Sequence, residues 1–326
     1  MATSSISQPW PRQIIIIKGV RNAGPRMASV FAMNFNDLLR NEEIDPNNVL
    51  VFRHCPAEAK LKKVLPWLAA ERPEIFNAYQ QTQGVKVQTA MERLSGSGYV
   101  ASFIGHEAGK ALFVGLYSIG AAKPFPIDEF WQLPGHTELR EFGMNGISEN
   151  EGRASILRFE LERTDFYSAW SGKLTVGWPG KELSWWRRSE RNKIPVLAIL
   201  EESAFDAAMP EWDKMDLMWE ELGVLPARWR NALKQWRGIY YILDTSTRKG
   251  YVGSACGEDN LYGRWRDYAA RGHGGNRLLM QCNSRNLRFC ILQRVSPDMD
   301  VRALVSIENS WKDRLQTRAP FGLNDN

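Results

Sequence analysis

The chain has 326 residues, 44% of them hydrophobic, with 42 lysines and arginines against 37 aspartates and glutamates. That length has room for two domains and that apolar content fills their cores. No apolar run approaches the roughly 18 residues of a membrane span, and the amino terminus lacks the apolar stretch of a signal peptide. A membrane protein is therefore excluded and a cytoplasmic location is expected.

The charge is unevenly placed. Residues 231–326 hold 15 lysines and arginines against 9 acids, and the rest of the chain holds 27 against 28. A basic segment attached to a neutral one points to a polyanionic partner, although a basic balance also serves solubility alone. Cys55, Cys256, Cys282 and Cys290 make no CxxC pair, so free thiols are expected and a zinc site is not.

In chain order, residues 13–18 and 49–53 read as buried strands, with a helical pattern over 26–40 between them. Residues 57–83 are helical in period, with breaks expected near Pro66 and Pro73. Strand character follows at 99–105 and 111–119, flanking a turn at His106–Lys110, and again at 156–161, 173–178 and 196–200. Gly105-x-x-x-Gly109-Lys110 looks like a phosphate loop, but it is one residue short, lacks the Ser/Thr that holds magnesium, and joins two strands. It reads as a hairpin turn. Residues 201–234 are acidic, carry Trp212, Trp219 and Trp229, and place Met215, Leu217, Met218 and Leu222 as a helix would. An acidic helical connector is expected there.

Beyond it, Gly238-Ile239-Tyr240 and Tyr251-Val252-Gly253 lie in two short apolar-aromatic runs around the turn-prone Asp244–Lys249, the pattern of a hairpin. A tyrosine on each strand, with glycines allowing close approach to the backbone, suits a site. Cross-strand aromatic packing alone is the plainer account. Residues 261–271 form a helical pattern in which Leu261, Arg264, Trp265 and Tyr268 share a face. After a glycine-rich loop with His273 and a strand run at 286–295, a second helix, 301–316, places Glu308 among Leu304, Trp311 and Leu315. Charges on apolar stripes call for partners. An Arg264–Glu308 ion pair, or side chains reaching the rim, would answer that call, and so would a phosphate and a metal ion.

These motifs in this order, with Gly322-Leu323-Asn324 near the end, resemble the GIY-YIG nuclease superfamily over about 235–326. The resemblance implies a small central antiparallel sheet flanked by helices and a catalytic set of Tyr240, Tyr251, Arg264, Tyr268, His273, Glu308 and Asn324. It implies Glu308 as ligand of Mg²⁺, with Mn²⁺ an alternative, and a tyrosine, Tyr240 in preference to Tyr251, as general base. Ser254 stands where the family favours a basic or small polar residue, so a lysine's help to that base is in doubt; Lys249 is a candidate substitute.

The amino-terminal part interleaves aromatics and bases over 159–186 and just beyond. Tyr167, Trp170, Lys173, Trp178, Trp185, Trp186, Arg187 and Arg188 are candidates for contacting DNA, as stacking platforms and phosphate contacts. A tryptophan-rich core with a basic rim is the competing account. Residues 111–119 and 172–178 loosely resemble strands of PUA-like barrels, which include the EVE and SRA readers of modified bases.

The fold class expected is therefore α/β, of the α+β kind. It comprises a recognition domain (1–200) with a PUA-like barrel core, the connector (201–234) and a nuclease domain (235–326). The implied function is Mg²⁺-dependent cleavage of double-stranded DNA by a modification-dependent restriction enzyme that recognises modified cytosine, with a homodimer on DNA as one way to cut both strands. A sequence-specific restriction or mobile-element endonuclease, a non-catalytic nucleic-acid-binding protein, and RNA as substrate stay open.

Overall fold

The computed structural model describes residues 33–147, 153–178, 184–206, 209–271, 273 and 275–325. The strand expected at 13–18, and the first residues of the helix expected at 26–40, lie outside them. The chain divides into two compact units, Met1–Asp206 and Ala207–Asn326.

The first unit runs α1 (Phe35–Asn41), β1 (Val49–His54), α2 (Ala59–Glu71), α3 (Pro73–Gln80), α4 (Val85–Glu92), β2 (Tyr99–Gly105), β3 (Lys110–Pro126), α5 (His136–Glu141), β4 (Ser155–Arg163), β5 (Leu174–Gly177), β6 (Trp186–Arg188) and β7 (Val196–Ile199). All six residues of β1 are buried, the apolar run Val49–Phe52 as a strand covered on both faces requires, and the polar Arg53 and His54 after it. Strand β1 pairs β2 in parallel, and a parallel pair needs a long crossover, here the three helices α2, α3 and α4. The order is β6-β1-β2-β3-β5-β7, with β4 also on β3, and the sheet curls into a half-barrel. Strand β3 makes the curl. It is 17 residues long, and its start pairs β5 while its end pairs β4, across an irregularity between Ile119 and Ala122.

Pro66 does not break its helix, contrary to expectation: α2 continues through it to Glu71. Leu61, Val64, Leu65, Leu68 and Ala69 bury one face of α2, and that burial outweighs the roughly 3 kcal/mol of a mid-helix proline. The break falls at Arg72, where the following Pro73 disfavours helical geometry and opens α3 as its first residue.

The second unit runs β8 (Asp216–Met218), α6 (Trp219–Leu222), α7 (Ala227–Gln235), β9 (Arg237–Asp244), β10 (Lys249–Ala255), α8 (Asn260–Arg271), β11 (Leu287–Val295) and α9 (Val301–Arg314). Its four-stranded sheet has the order β10-β9-β11-β8, antiparallel throughout. Successive side chains on β9 alternate between faces. Tyr240 and Ile242 join the core that holds Trp265 and Phe289, while Ile239 and Tyr241 pack with Val252 and with Leu304 of α9. The connector expected at 201–234 is helical at α6 and α7 but not at 216–218, where the expectation is corrected. Leu217 is buried between exposed Asp216 and Met218, the alternation of a strand, and β8 pairs β11. Met215, Leu222, Leu225 and Leu233 fill the core of this unit. The run was read as a helix because three residues carry too little period to separate the two structures.

Candidate active site

The hairpin of β9 and β10 sets Gly253 opposite Tyr240. A methyl group at Gly253 would strike the Tyr240 hydroxyl, so the glycine makes room for a neighbour's ring. The turn between the strands is organised by buried Asp244. Its carboxylate accepts from the Ser246 backbone N–H at 2.9 Å, the Ser246 hydroxyl at 2.6 Å and the Thr247 hydroxyl at 2.8 Å.

Tyr240, Tyr251 and Tyr268 form one cluster. The Tyr240 ring lies 6.3 Å from Tyr251 and 6.1 Å from Tyr268, centroid to centroid, and the hydroxyls of Tyr240 and Tyr268 are 3.2 Å apart. Tyr240 is only 1% exposed. Burial, with Tyr251 beside it, pushes its phenol well above the usual tyrosine range. Burial raises Tyr251 and Tyr268 as well. All three are therefore protonated at neutral pH, and a base role for any of them requires a nearby cation.

The three rings line a cavity of about 500 Å³ with Ser254, Arg264, Asn276, Arg277, Glu308, Lys312 and Asp325. Strand β10 contributes from both faces: Tyr251 lies on the side of the aromatic core, and Ser254 donates its hydroxyl to Glu308 Oε2 on α9. Arg264 is exposed at the mouth, and no carboxylate pairs with it among the described residues. The ion pair considered between Arg264 and Glu308 is replaced by another. Lys312 Nζ sits 2.8 Å from Glu308 Oε1, with side chains 3% and 15% exposed. The pair spans one helical turn, i to i+4.

Two residues of the expected set, and the candidate substitute Lys249, lie elsewhere. Asn324 is buried behind β10, where its Oδ1 accepts from the Val252 N–H at 2.9 Å and its Nδ2 donates to the Val252 carbonyl at 2.8 Å. It completes the ladder along the edge of β10. His273 is not among the lining residues; its Nδ1 accepts from the Gly275 N–H within its own loop. Lys249 donates to the Pro320 carbonyl at 3.0 Å, away from the cavity. The ammonium beside the site comes from Lys312, which sequence reasoning passed over, although the Glu308–Lys312 spacing on one helix was a readable signal.

Among the described residues no group of three or more His, Cys, Asp or Glu is placed to hold a metal. The carboxylates on the wall are Glu308 and Asp325, of which Asp325 is held by Arg277 at 3.3 Å. So small a donor set suits Mg²⁺, which keeps most of its water and completes its shell with phosphate oxygens, once Glu308 is shared with or released by Lys312.

The DNA-contact candidates of the first unit are dispersed. Tyr167 and Trp170 stack at 4.3 Å against the core, and the Tyr167 hydroxyl accepts from Asn41 Nδ2. Trp178 is buried and donates to the Ser184 carbonyl, with the Arg187 guanidinium 5.2 Å from its ring. The Lys173 N–H closes a turn onto Trp170, and Arg188 is paired with Leu50 in the sheet. Trp186 lines a shallow groove beside α4. Trp185 alone reaches a second, larger cavity, which Arg53, His54, Tyr79 and Thr82 also line. Sequence reasoning missed those four because they come from the end of β1 and from α3 and the loop after it.

No helix among the described residues is long and apolar enough to cross a membrane. No protein-family model, no curated protein and no solved structure matches the chain, so what the site does is argued from its own chemistry.

Proposed function

We propose that the protein is a Mg²⁺-dependent DNA endonuclease of the GIY-YIG type, with its second unit cutting and its first selecting the DNA. One observation carries the reading: Tyr240, Tyr251, Arg264 and Glu308 line a single polar cavity. A phosphodiester needs charge neutralisation at its phosphoryl oxygens and an aligned, activated water. Arg264, exposed and unpaired with any acid among the described residues, offers planar paired donors to those oxygens. Glu308 would hold the cation, which when bound neutralises phosphate charge and eases deprotonation of water. The cluster of protonated phenols orients the attacking water. Tyr251, the less buried of the hairpin pair, is the better placed to pass a proton onward, which moves preference away from Tyr240 as the base.

For the first unit, a PUA-like reader of modified cytosine is the reading, and modification-dependent restriction the role. The half-barrel sheet supports it. Two-strand cutting favours a homodimer on DNA. Four free cysteines suit the reducing cytoplasm.

The Lys312–Glu308 pair favours a second reading, a nucleic-acid-binding protein in which an ammonium has taken the cation's place. Digestion of unmodified, methylated and hydroxymethylated DNA with Mg²⁺, Mn²⁺ or EDTA separates the two. Cleavage that needs metal and stops in Glu308→Gln supports the nuclease; binding without cleavage under every condition supports the second reading.

A further inference from the structure

A cavity of about 710 Å³ lies wholly within the first unit. Its wall carries three rings. His54 meets Tyr79 at 5.2 Å and Trp185 at 6.4 Å, centroid to centroid, and Phe52 and Phe76 support it from behind at 5.9 and 5.4 Å. Two recessed polar atoms on this wall have no hydrogen-bond partner, His54 Nε2 and Thr82 Oγ1, on residues only 3% and 5% exposed. Buried polar atoms are rarely left unmet, and each costs about 1–3 kcal/mol when they are. Neither atom reaches solvent as it stands, but both residues line the cavity, and a small rotation of either side chain would offer the atom to a ligand. Burial pushes the His54 imidazole down to about 4, so at neutral pH it is uncharged and meets a polar ring edge without charge. Lys62 lines the cavity with His106 and Glu107, whose carboxylate is paired with Lys110, and the Arg53 guanidinium, whose Nε donates to the Lys110 carbonyl at 3.4 Å, lines it too.

We infer that this cavity receives a single nucleobase, flat against Tyr79 and Trp185, with His54 Nε2 and Thr82 Oγ1 bonding its polar edge and Arg53 and Lys62 facing the attached phosphate. Aromatic walls, a polar reading edge and the cations of Arg53 and Lys62 together match a nucleotide better than an apolar ligand, which would leave both recessed atoms unmet, or an inorganic anion, which would leave the rings idle. The inference rests on the nucleic-acid reading proposed above and moves the recognition site away from Tyr167, Trp170 and Trp178. The base arrives either on a mononucleotide or extruded from a duplex.

The test uses the full chain in EDTA, so that no cutting occurs. Calorimetry with mononucleotides, including 5-methyl-dCMP and 5-hydroxymethyl-dCMP, covers the first source. Duplexes with 2-aminopurine beside a modified cytosine, whose emission rises when stacking is lost, cover the second. Saturable binding in one arm, weakened at least tenfold by Thr82→Val and by His54→Phe, is expected. Thr82→Val preserves shape and removes only the hydroxyl, so it decides the matter if the His54 variant misfolds. Duplex bound without a rise in emission, and equally well by folded Thr82→Val, overturns the cavity assignment while leaving the nuclease standing. No binding in either arm also overturns it. Metal-independent failure to cut DNA, alongside mononucleotide binding lost in Thr82→Val, would instead sink the nuclease reading and keep the cavity.

Discussion

The two cavities of this chain are built on opposite plans. In the second unit the recessed carboxylate on the wall, Glu308, is bonded to both Ser254 and Lys312, and the rings serve as a wall of hydroxyls. In the first unit the rings form an apolar face, and two polar atoms behind them are left unmet. On the proposed reading, the recessed carboxylate is kept compensated until a cation arrives, because an isolated buried charge is costly, while Arg264 stays solvated and free for a phosphate. A site that recognises a neutral ring can hold neutral donors and acceptors unbonded at a smaller cost. The contrast separates chemistry from recognition, and it can be broken at either end.

The largest effect expected is on cleavage. Glu308→Gln keeps the shape and removes the charge, and it should lower the single-turnover rate on the order of 10³-fold, about 4 kcal/mol of transition-state stabilisation, with DNA affinity unchanged. A rate within tenfold of wild type would remove Glu308 from the chemistry.

Next comes the acid sensitivity of the first unit. The unfolded chain gains a proton on His54 near pH 6.5 and the folded chain only near 4, so between those values protons favour unfolding. The stability present above pH 6.5 declines as pH falls, and about 3 kcal/mol is gone by pH 4. Hydrogen exchange of β1 peptides at pH 7, 5.5 and 4.5 should show it, and His54→Phe should flatten the slope. An equal slope in the variant would assign the effect to other groups.

Asn324→Ala leaves the N–H and carbonyl of Val252 without their partners and should destabilise the second unit by about 2 kcal/mol, read as a lower urea midpoint. Arg264 lies away from this contact, so a loss of activity out of proportion to stability would give Asn324 a further role. The smallest effect concerns Lys312. With its ammonium gone, Lys312→Met should bind Mn²⁺ about tenfold more tightly without DNA, roughly 1.4 kcal/mol, by calorimetry. Unchanged affinity would mean that the lysine does not compete for Glu308.

Much of the second cavity was legible in the sequence because hairpins and helices carry local period. Tyr240 and Tyr251 follow from strand alternation, and Arg264 and Tyr268 from one helical turn. Lys312 was equally legible, four residues after Glu308, but attention to the apolar stripe hid it. Strand β8 was illegible for another reason: three residues become a strand only when β11 lies beside them, and no local pattern announces that partner. The first cavity was the least readable. His54 ends a strand, Tyr79 and Thr82 end a helix and begin a loop, and Trp185 precedes a three-residue strand. Only the crossover between β1 and β2 and the return of β6 bring them together.

The clasp of Asn324 on Val252 has a consequence for how this protein comes into being. Strand β10 carries a catalytic candidate, yet its outer edge stays bare until a segment 72 residues downstream has left the ribosome. Up to that moment the hairpin is an open template for a stray strand. An unfinished polypeptide of this kind is therefore a sticky one, which a cell must shepherd.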